Sequence, residues 1–164
     1  MIEDYTTVEE YIHEGREELK RVEHIIYVSL KYTRTTDVLR GALLRFVSFF
    51  DMVVHAYMIK AEETEDISRI PRSPALKAKK LAELNSEDKD MQRFIHYYFF
   101  LKELLKNDYE KINEYRRHVG MIFDFEDNSV AVNIDSLETC EHFAHKFYHY
   151  SNRRLGLVEE GEYQ

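Results

Sequence analysis

The sequence predicts an all-α fold of four long helices and one short helix in an antiparallel bundle, with a small β-hairpin before the last helix. Hydrophobic residues recur at three- and four-residue spacing through most of the 164 residues, which is the period of a helix with one buried face. The chain has only 5 Gly and 2 Pro, too few for the many turns of a β-sandwich or barrel. We expect one domain over 1–164, ordered from about 5 to 156, with an acidic tail over 157–164.

The first two predicted helices have clear starts. Thr7 and Glu10 have the spacing of a capping box, and apolar positions continue from there to about Tyr32. The second helix begins at Thr36-Asp37 and runs to about Glu63. Because it is apolar on almost every face, we expect it to be the central helix of the fold. It also carries charged residues in its middle, which exclude a membrane span because charge is costly in lipid.

Two further helices follow a polar connection over 62–73. Ser73 and Pro74 supply an N-cap and a first helical residue for a short helix that ends near Leu84. A fourth helix is predicted from Ser86 to Val119, with at most a bend at the weak breaker over 107–108.

The hydrophobic period changes to two between Met121 and Asp135. Apolar residues alternate with polar ones on both sides of a turn-forming pair at 127–128, so this segment is predicted to be the β-hairpin. Asp135 and Glu138 have capping-box spacing and open the last helix. Gly156 is suited to end that helix, because glycine adopts left-handed backbone without strain.

Composition excludes several classes of function. The net charge of −8 gives no overall attraction to nucleic-acid phosphate, and the single cysteine, Cys140, rules out a disulfide framework and a cysteine zinc site. The acidic N-terminus lacks the regions of a signal peptide, so we expect a cytoplasmic protein, and no pattern indicates a cofactor. Positive charge does gather locally over 69–80, where either a solvated surface or a phosphate contact would explain Arg69, Arg72, Lys77, Lys79 and Lys80.

Four polar residues form a line along the second helix: Arg40, Ser48, Asp51 and His55. A polar stripe on a central helix must be hydrogen-bonded internally or face a cleft, because burying an unpaired polar group costs about 1–3 kcal/mol. The sequence leaves both possibilities open. One is an internal network, such as Asp51 with an arginine of another helix, and the other is the wall of a binding groove.

Three histidines, His142, His145 and His149, lie on one face of the last helix. Glu10 and His13 have the Glu-x-x-His spacing of di-iron helical bundles, so a His/Glu metal-binding bundle is one alternative. No second Glu-x-x-His pair occurs in the sequence, and histidines at the surface of the bundle explain the pattern without a metal.

The segment from Tyr115 to Met121, Tyr-Arg-Arg-His-Val-Gly-Met, carries the most specific pattern and is predicted to end the fourth helix. With the extended segment and capped helix that follow, it resembles the HEPN superfamily of helical domains. In HEPN ribonucleases an arginine, with a histidine four to six residues on, acts on RNA in the cleft of a dimer. Counted from Arg116 or Arg117, no histidine occurs at that spacing, because His118 comes too early. The resemblance therefore implies a dimeric domain without ribonuclease activity. Cations that offset the dipole at a helix C-terminus would also explain these residues.

These observations predict a non-catalytic HEPN-like module that forms a homodimer and binds a nucleotide, a nucleic acid or a protein, with no membrane partner. The predicted groove combines Arg116, Arg117 and His118 with Arg40, Asp51 and His55 of the second helix. One alternative is a metal-independent ribonuclease that uses a displaced histidine, His118 or His55. The other is the metal-binding bundle, with His142, His145 and His149 as ligands.

Overall fold

The computed structural model describes residues 5–158, and over this range the protein is mostly helical, as predicted. It has five helices there: α1 (Val8–His24), α2 (Thr36–Glu63), α3 (Pro74–Leu84), α4 (Lys89–Leu105) and α5 (Ile134–Leu155). A π-helical segment, Ile25–Ser29, and a last turn, Leu30–Tyr32, follow α1 without a break. Most of the predicted acidic tail, residues 159–164, lies outside the described residues.

Side-chain caps confirm several predicted helix ends. The Thr7 hydroxyl accepts a hydrogen bond from the Glu10 backbone N–H at 3.1 Å, so the first helix starts where expected. The Ser73 hydroxyl accepts one from the Leu76 N–H at 3.1 Å at the start of α3. Gly156 ends α5 with a φ of 71°, the left-handed conformation that glycine tolerates.

Two predicted helix starts are wrong. The N-cap of α4 is Asp88, two residues after the predicted Ser86. The N-cap of α5 is Asn133, two residues before the predicted Asp135. Asn133 and Ser136 form the capping box, because the side chain of each accepts a hydrogen bond from the backbone N–H of the other.

The fourth helix does not reach Val119, since α4 ends at Leu105. The chain then forms β1 (Tyr109–Ile112), which pairs antiparallel with β2 (Gly120–Asp124), and β2 pairs in turn with β3 (Ser129–Asn133). The predicted hairpin, β2 and β3, is therefore part of a three-stranded sheet in the order β1-β2-β3. Residues 109–112 have no helical apolar stripe of their own. We attribute their strand conformation to β2, whose edge offers backbone N–H and C=O groups that need hydrogen-bond partners.

The apolar helix α2 lies at the centre of the fold. It packs against α1, α3, α4 and α5, and 13 of its 28 residues are buried. By length and composition α2 could also cross a membrane, because an 18-residue window has a mean hydropathy of 1.5, but 56% of that window is buried inside the protein. The ring of Phe147, from α5, contacts Phe50 of α2 and Phe94 of α4, with centroids 5.1 and 4.8 Å away. This aromatic contact joins three helices in one core.

Candidate functional site

Arg116, Arg117 and His118 lie in the loop between β1 and β2, residues 113–119, and not at the end of a helix as predicted. All three residues are exposed. Because this segment is not helical, the alternative explanation that they offset a helix dipole is also wrong.

The loop is fixed to the start of α2. The Glu114 carboxylate accepts hydrogen bonds from the Thr36 backbone N–H at 3.2 Å and from the Thr36 hydroxyl at 2.8 Å. The Tyr115 backbone N–H donates to the Arg34 carbonyl at 2.6 Å. A carboxylate in this position also interacts favourably with the positive end of the helix dipole. The loop therefore has a defined position although its side chains are exposed.

Two residues of the loop have left-handed backbone. Asn113 has a φ of 53°, and its side-chain amide donates to the His118 carbonyl at 3.1 Å. Tyr115 has a φ of 65°, a strained conformation for a bulky side chain. Its ring is 79% exposed, so packing of the ring does not explain the strain. Strained backbone of this kind is concentrated at functional sites.

A small cavity of about 180 Å³ lies beside the loop at the start of α5. It is bordered by Arg117 and His118 from the loop and by Asn133, Asp135 and Glu138 from the other side. The carboxylates of Asp135 and Glu138 oppose the charge of Arg117, so the cavity does not favour an anion.

The other half of the predicted groove lies elsewhere on α2. Arg40 follows the anchoring residue Thr36 by one turn, but Asp51 and His55 are 15 and 19 residues beyond Thr36. Those separations are about 22 and 28 Å along a helix axis. Asp51 and His55 therefore do not share a groove with the loop that carries Arg116.

Asp51 belongs to an internal network. Its carboxylate accepts a hydrogen bond from the Tyr98 hydroxyl of α4 at 2.5 Å. Burial raises the pKa of Asp51, and the Tyr98 hydroxyl, Lys102 and Lys77 partly counteract that rise. This matches the internal network that the sequence left open, with a tyrosine as partner in place of the expected arginine.

His55 packs against Tyr11 of α1, with 4.4 Å between the ring centroids. Burial, with a smaller contribution from the positive charge of Lys77, lowers the pKa of His55 to about 4. The imidazole is therefore neutral at pH 7, which makes it a poor general acid near neutral pH.

The histidines of α5 do not converge on one point. His145 Nε2 lies 2.8 Å from Glu23 Oε1 of α1, whereas His142 and His149 are exposed. Within residues 5–158, no group of three or more His, Cys, Asp or Glu side chains is arranged to hold a metal ion. This arrangement gives no support to the metal-binding alternative.

A large apolar groove runs along α4, bounded by Ala82 of α3 and Phe143 of α5, and is here termed the α4 groove. It is open and has a volume of about 820 Å³. A second cavity of about 520 Å³ continues it towards the end of α4 and shares three of its residues. Those shared residues, His96, Phe99 and Phe100, form the middle of the groove.

Sequence reasoning missed the α4 groove, although a signal was present. Residues 96–100 are five consecutive aromatic side chains, His-Tyr-Tyr-Phe-Phe. Successive side chains on a helix point about 100° apart, so five in a row cannot all face one core. Tyr98 is fully buried, while Phe100 remains 38% exposed. Five consecutive aromatic residues on a helix therefore predict that some of the rings lie on its exposed side.

The strain at Tyr115 predicts a stabilising substitution. Tyr115→Gly should raise the free energy of unfolding by about 0.5–1 kcal/mol, because glycine adopts positive φ without strain. Tyr32→Gly is the control, since Tyr32 is also exposed but has no positive φ, and it should destabilise the protein. Urea denaturation measures both variants, and a loss of stability in Tyr115→Gly would contradict the assignment of strain.

The lowered pKa of His55 predicts that the free energy of unfolding falls on acidification. Its pKa is about 4 in the folded protein against 6.5 ordinarily, so the unfolded state takes up the proton first. The contribution of the neutral imidazole is complete above pH 6.5 and is lost as the pH falls towards 4. In His55→Gln, the free energy of unfolding should therefore decrease less between about pH 7 and pH 5 than in the wild type. Equal decreases in urea titrations would show that His55 does not contribute.

Comparison of the chain with protein-family models, with curated proteins and with solved structures found no match in any of the three.

Proposed function

We propose that this protein is a non-enzymatic helical module that dimerises and binds through the α4 groove. The observation that carries the proposal is the exposed aromatic lining, in which Phe100 is 38% exposed beside His96 and Phe99. Contiguous apolar surface of this kind marks interaction sites on soluble proteins. Aromatic side chains are also enriched at the buried centres of protein interfaces.

The layout of the α4 groove favours a protein partner over a small ligand. The floor of the groove is aromatic, while exposed charged residues stand at its two ends, Arg93 at one and Glu103 and Lys106 at the other. An apolar centre with a charged rim is the layout of a protein interface. Small-ligand sites instead enclose the ligand and direct several polar groups at it. In the antiparallel bundle that we infer for the five helices, the groove side of α4 faces outwards and a partner can reach it.

The ribonuclease alternative has weaker support. Cleavage needs a group that binds phosphate and a general acid–base within reach of the same bond. His55 is neutral at pH 7 and lies about 28 Å along α2 from the residue that anchors the arginine loop. His118 is exposed beside Arg116 and Arg117, without a cleft that encloses all three. The resemblance to HEPN domains itself stays a prediction.

Binding of single-stranded nucleic acid by loop 113–119 is a second candidate function. The observation in its favour is the exposed ring of Tyr115, held on a strained backbone next to two exposed arginines. Aromatic rings stack on bases, and cations beside them contact phosphate. Local charge of this kind is compatible with the net charge of −8, because salt screens the distant acidic residues.

Tyr115→Gly separates this second candidate from a purely structural loop. The substitution removes the stacking ring and keeps both arginines, so the affinity for a fluorescent single-stranded RNA should fall about fivefold or more. Fluorescence anisotropy at low salt measures the affinity, with Tyr32→Gly as control. Unchanged RNA binding in Tyr115→Gly would exclude stacking on Tyr115.

An apolar fluorescent probe tests the α4 groove. Anilinonaphthalene sulfonate should bind the dilute protein saturably, and Phe100→Glu should weaken binding about tenfold or more because it places a charge on an apolar floor. Leu44→Glu is the matched control, since Leu44 is 46% exposed on α2 and outside the groove. Fluorescence titration measures binding, and circular dichroism checks the fold. Equal binding by the wild type and Phe100→Glu would overturn the assignment of the groove.

A further inference from the structure

The α4 groove has a basic rim, although the protein as a whole is acidic. Among the described residues, 5–158, five Lys, Arg, Asp or Glu residues line its two cavities. Four of these are basic, namely Lys79, Arg93, Lys102 and Lys106, and Glu103 is the acidic one. The whole chain has 31 acidic and 23 basic residues, so the excess of positive charge is local to this surface.

Three of the four basic residues lie together at the end of the groove where α4 ends. Lys102 and Lys106 are one turn apart on α4, and Lys79 comes from α3. They line the same cavity of about 520 Å³, where their like charges repel each other. Lys106 lies 3.9 Å from Glu103, but within residues 5–158 neither Lys79 nor Lys102 forms an ion pair. Carboxylates supplied by a partner would therefore relieve this repulsion.

The helix dipole explains only part of this lysine cluster. Lys102 and Lys106 lie at the C-terminal end of α4, where cations offset the dipole. Lys79 lies in the middle of α3, away from both ends of that helix, so the dipole does not account for it. It belongs to the basic run over 69–80, for which the sequence left a solvated surface and a phosphate contact open. In the structure, Lys79 instead lines the same cavity as Phe99.

The middle of the groove carries no such charge. Residues 94–101 of α4 include no Lys, Arg, Asp or Glu, and the floor there is formed by His96, Phe99 and Phe100. The groove therefore suits a ligand with an apolar centre and with negative charge mainly at one end.

We propose that the partner in the α4 groove is an acidic amphipathic segment of another protein. Its apolar side chains would pack on the aromatic floor, and its carboxylates would pair with the three lysines at the end of α4. This inference rests on the proposed function, because it names the partner of the same groove. Lys106 follows Gln92 by 14 residues, about 21 Å along the axis, which accommodates about four turns of a docked helix.

Two other partners fit the charges of the groove less well. A single strand of nucleic acid carries a negative charge at every nucleotide, and the grooves that bind it present cations along the whole backbone. Here about 14 Å separates Arg93 from Lys102 along α4. A second copy of this chain would bring an equally basic groove, so like charges would meet. Dimerisation of the chain would then use another surface.

Three matched peptides test the charge preference of the groove in the full chain. Each is fluorescently labelled and has the same apolar residues at helical spacing, and the three carry glutamate, glutamine or lysine at the same four other positions. The acidic peptide should bind about tenfold or more tightly than the neutral one, and the basic peptide should bind most weakly. Fluorescence anisotropy measures the affinities. Equal affinities, a preference for the basic peptide or no binding of the acidic peptide would overturn the inference.

Charge reversal locates the binding of the acidic peptide. Lys79→Glu and Lys106→Glu should each weaken it about fivefold or more and strengthen binding of the basic peptide, because an attraction becomes a repulsion. Lys31→Glu is the matched control, since it makes the same change at an exposed residue outside the groove, and it should have no effect. Circular dichroism checks that each variant is folded. If Lys31→Glu weakens binding as much as Lys106→Glu, the contact is not at the groove and the inference is wrong.

The anilinonaphthalene sulfonate titration tests the proposed function separately. If this probe binds the groove and the acidic peptide does not, the groove remains a binding site for a partner of other chemistry. A single-stranded RNA that binds more tightly than the acidic peptide, and loses affinity in Lys106→Glu, would make a nucleic acid the partner and overturn the inference. If neither the probe nor any peptide binds, both proposals fail.

Discussion

The burial of α2 is the constraint on which the rest of this structure depends. A helix of 28 residues that is apolar on almost every face must be covered on most sides, because leaving it exposed would place a large apolar area in water. α1, α3, α4 and α5 provide that cover, and Phe147 brings α5 and α4 into contact with the middle of α2. Each covering helix turns one side towards α2 and leaves another side at the surface. The α4 groove lies on such a surface side of α4.

The helix α4 connects this internal constraint to a surface. Its inner side supplies Tyr98, whose hydroxyl satisfies the Asp51 carboxylate that α2 carries into the interior. Phe100, two residues further on, lines the α4 groove and stays partly exposed. Because the side chains turn by about 100° per residue, one short aromatic segment contributes both to the internal network and to the proposed interface. Substitutions in this segment therefore have to be chosen by the side of the helix on which they lie.

The sheet contacts α2 at the start of that helix. The Glu114 carboxylate of loop 113–119 accepts a hydrogen bond from the Thr36 hydroxyl of α2. At the other end of the sheet, β3 leads directly into α5, and its last residue, Asn133, is the N-cap of α5. The exposed arginines are thus held at one end of α2, whereas Asp51 lies towards its middle. The arginines of the loop and the polar residues in the middle of α2, which the sequence predicted to line one groove, therefore lie in separate parts of the molecule.

The sequence by itself determined the features that depend on contacts between near neighbours in the chain. The helical class, the start of the first helix at Thr7, the start of α3 at Ser73 and the end of α5 at Gly156 all follow from local hydrogen bonds and backbone preferences. The apolar composition of α2 likewise predicted its central position. Only the tertiary structure decided the extent of α4, the strand β1 and the position of Arg116, because β1 depends on backbone hydrogen bonds with β2, a separate part of the chain. The α4 groove was decided in the same way, since its shape depends on how α3 and α5 lie beside α4.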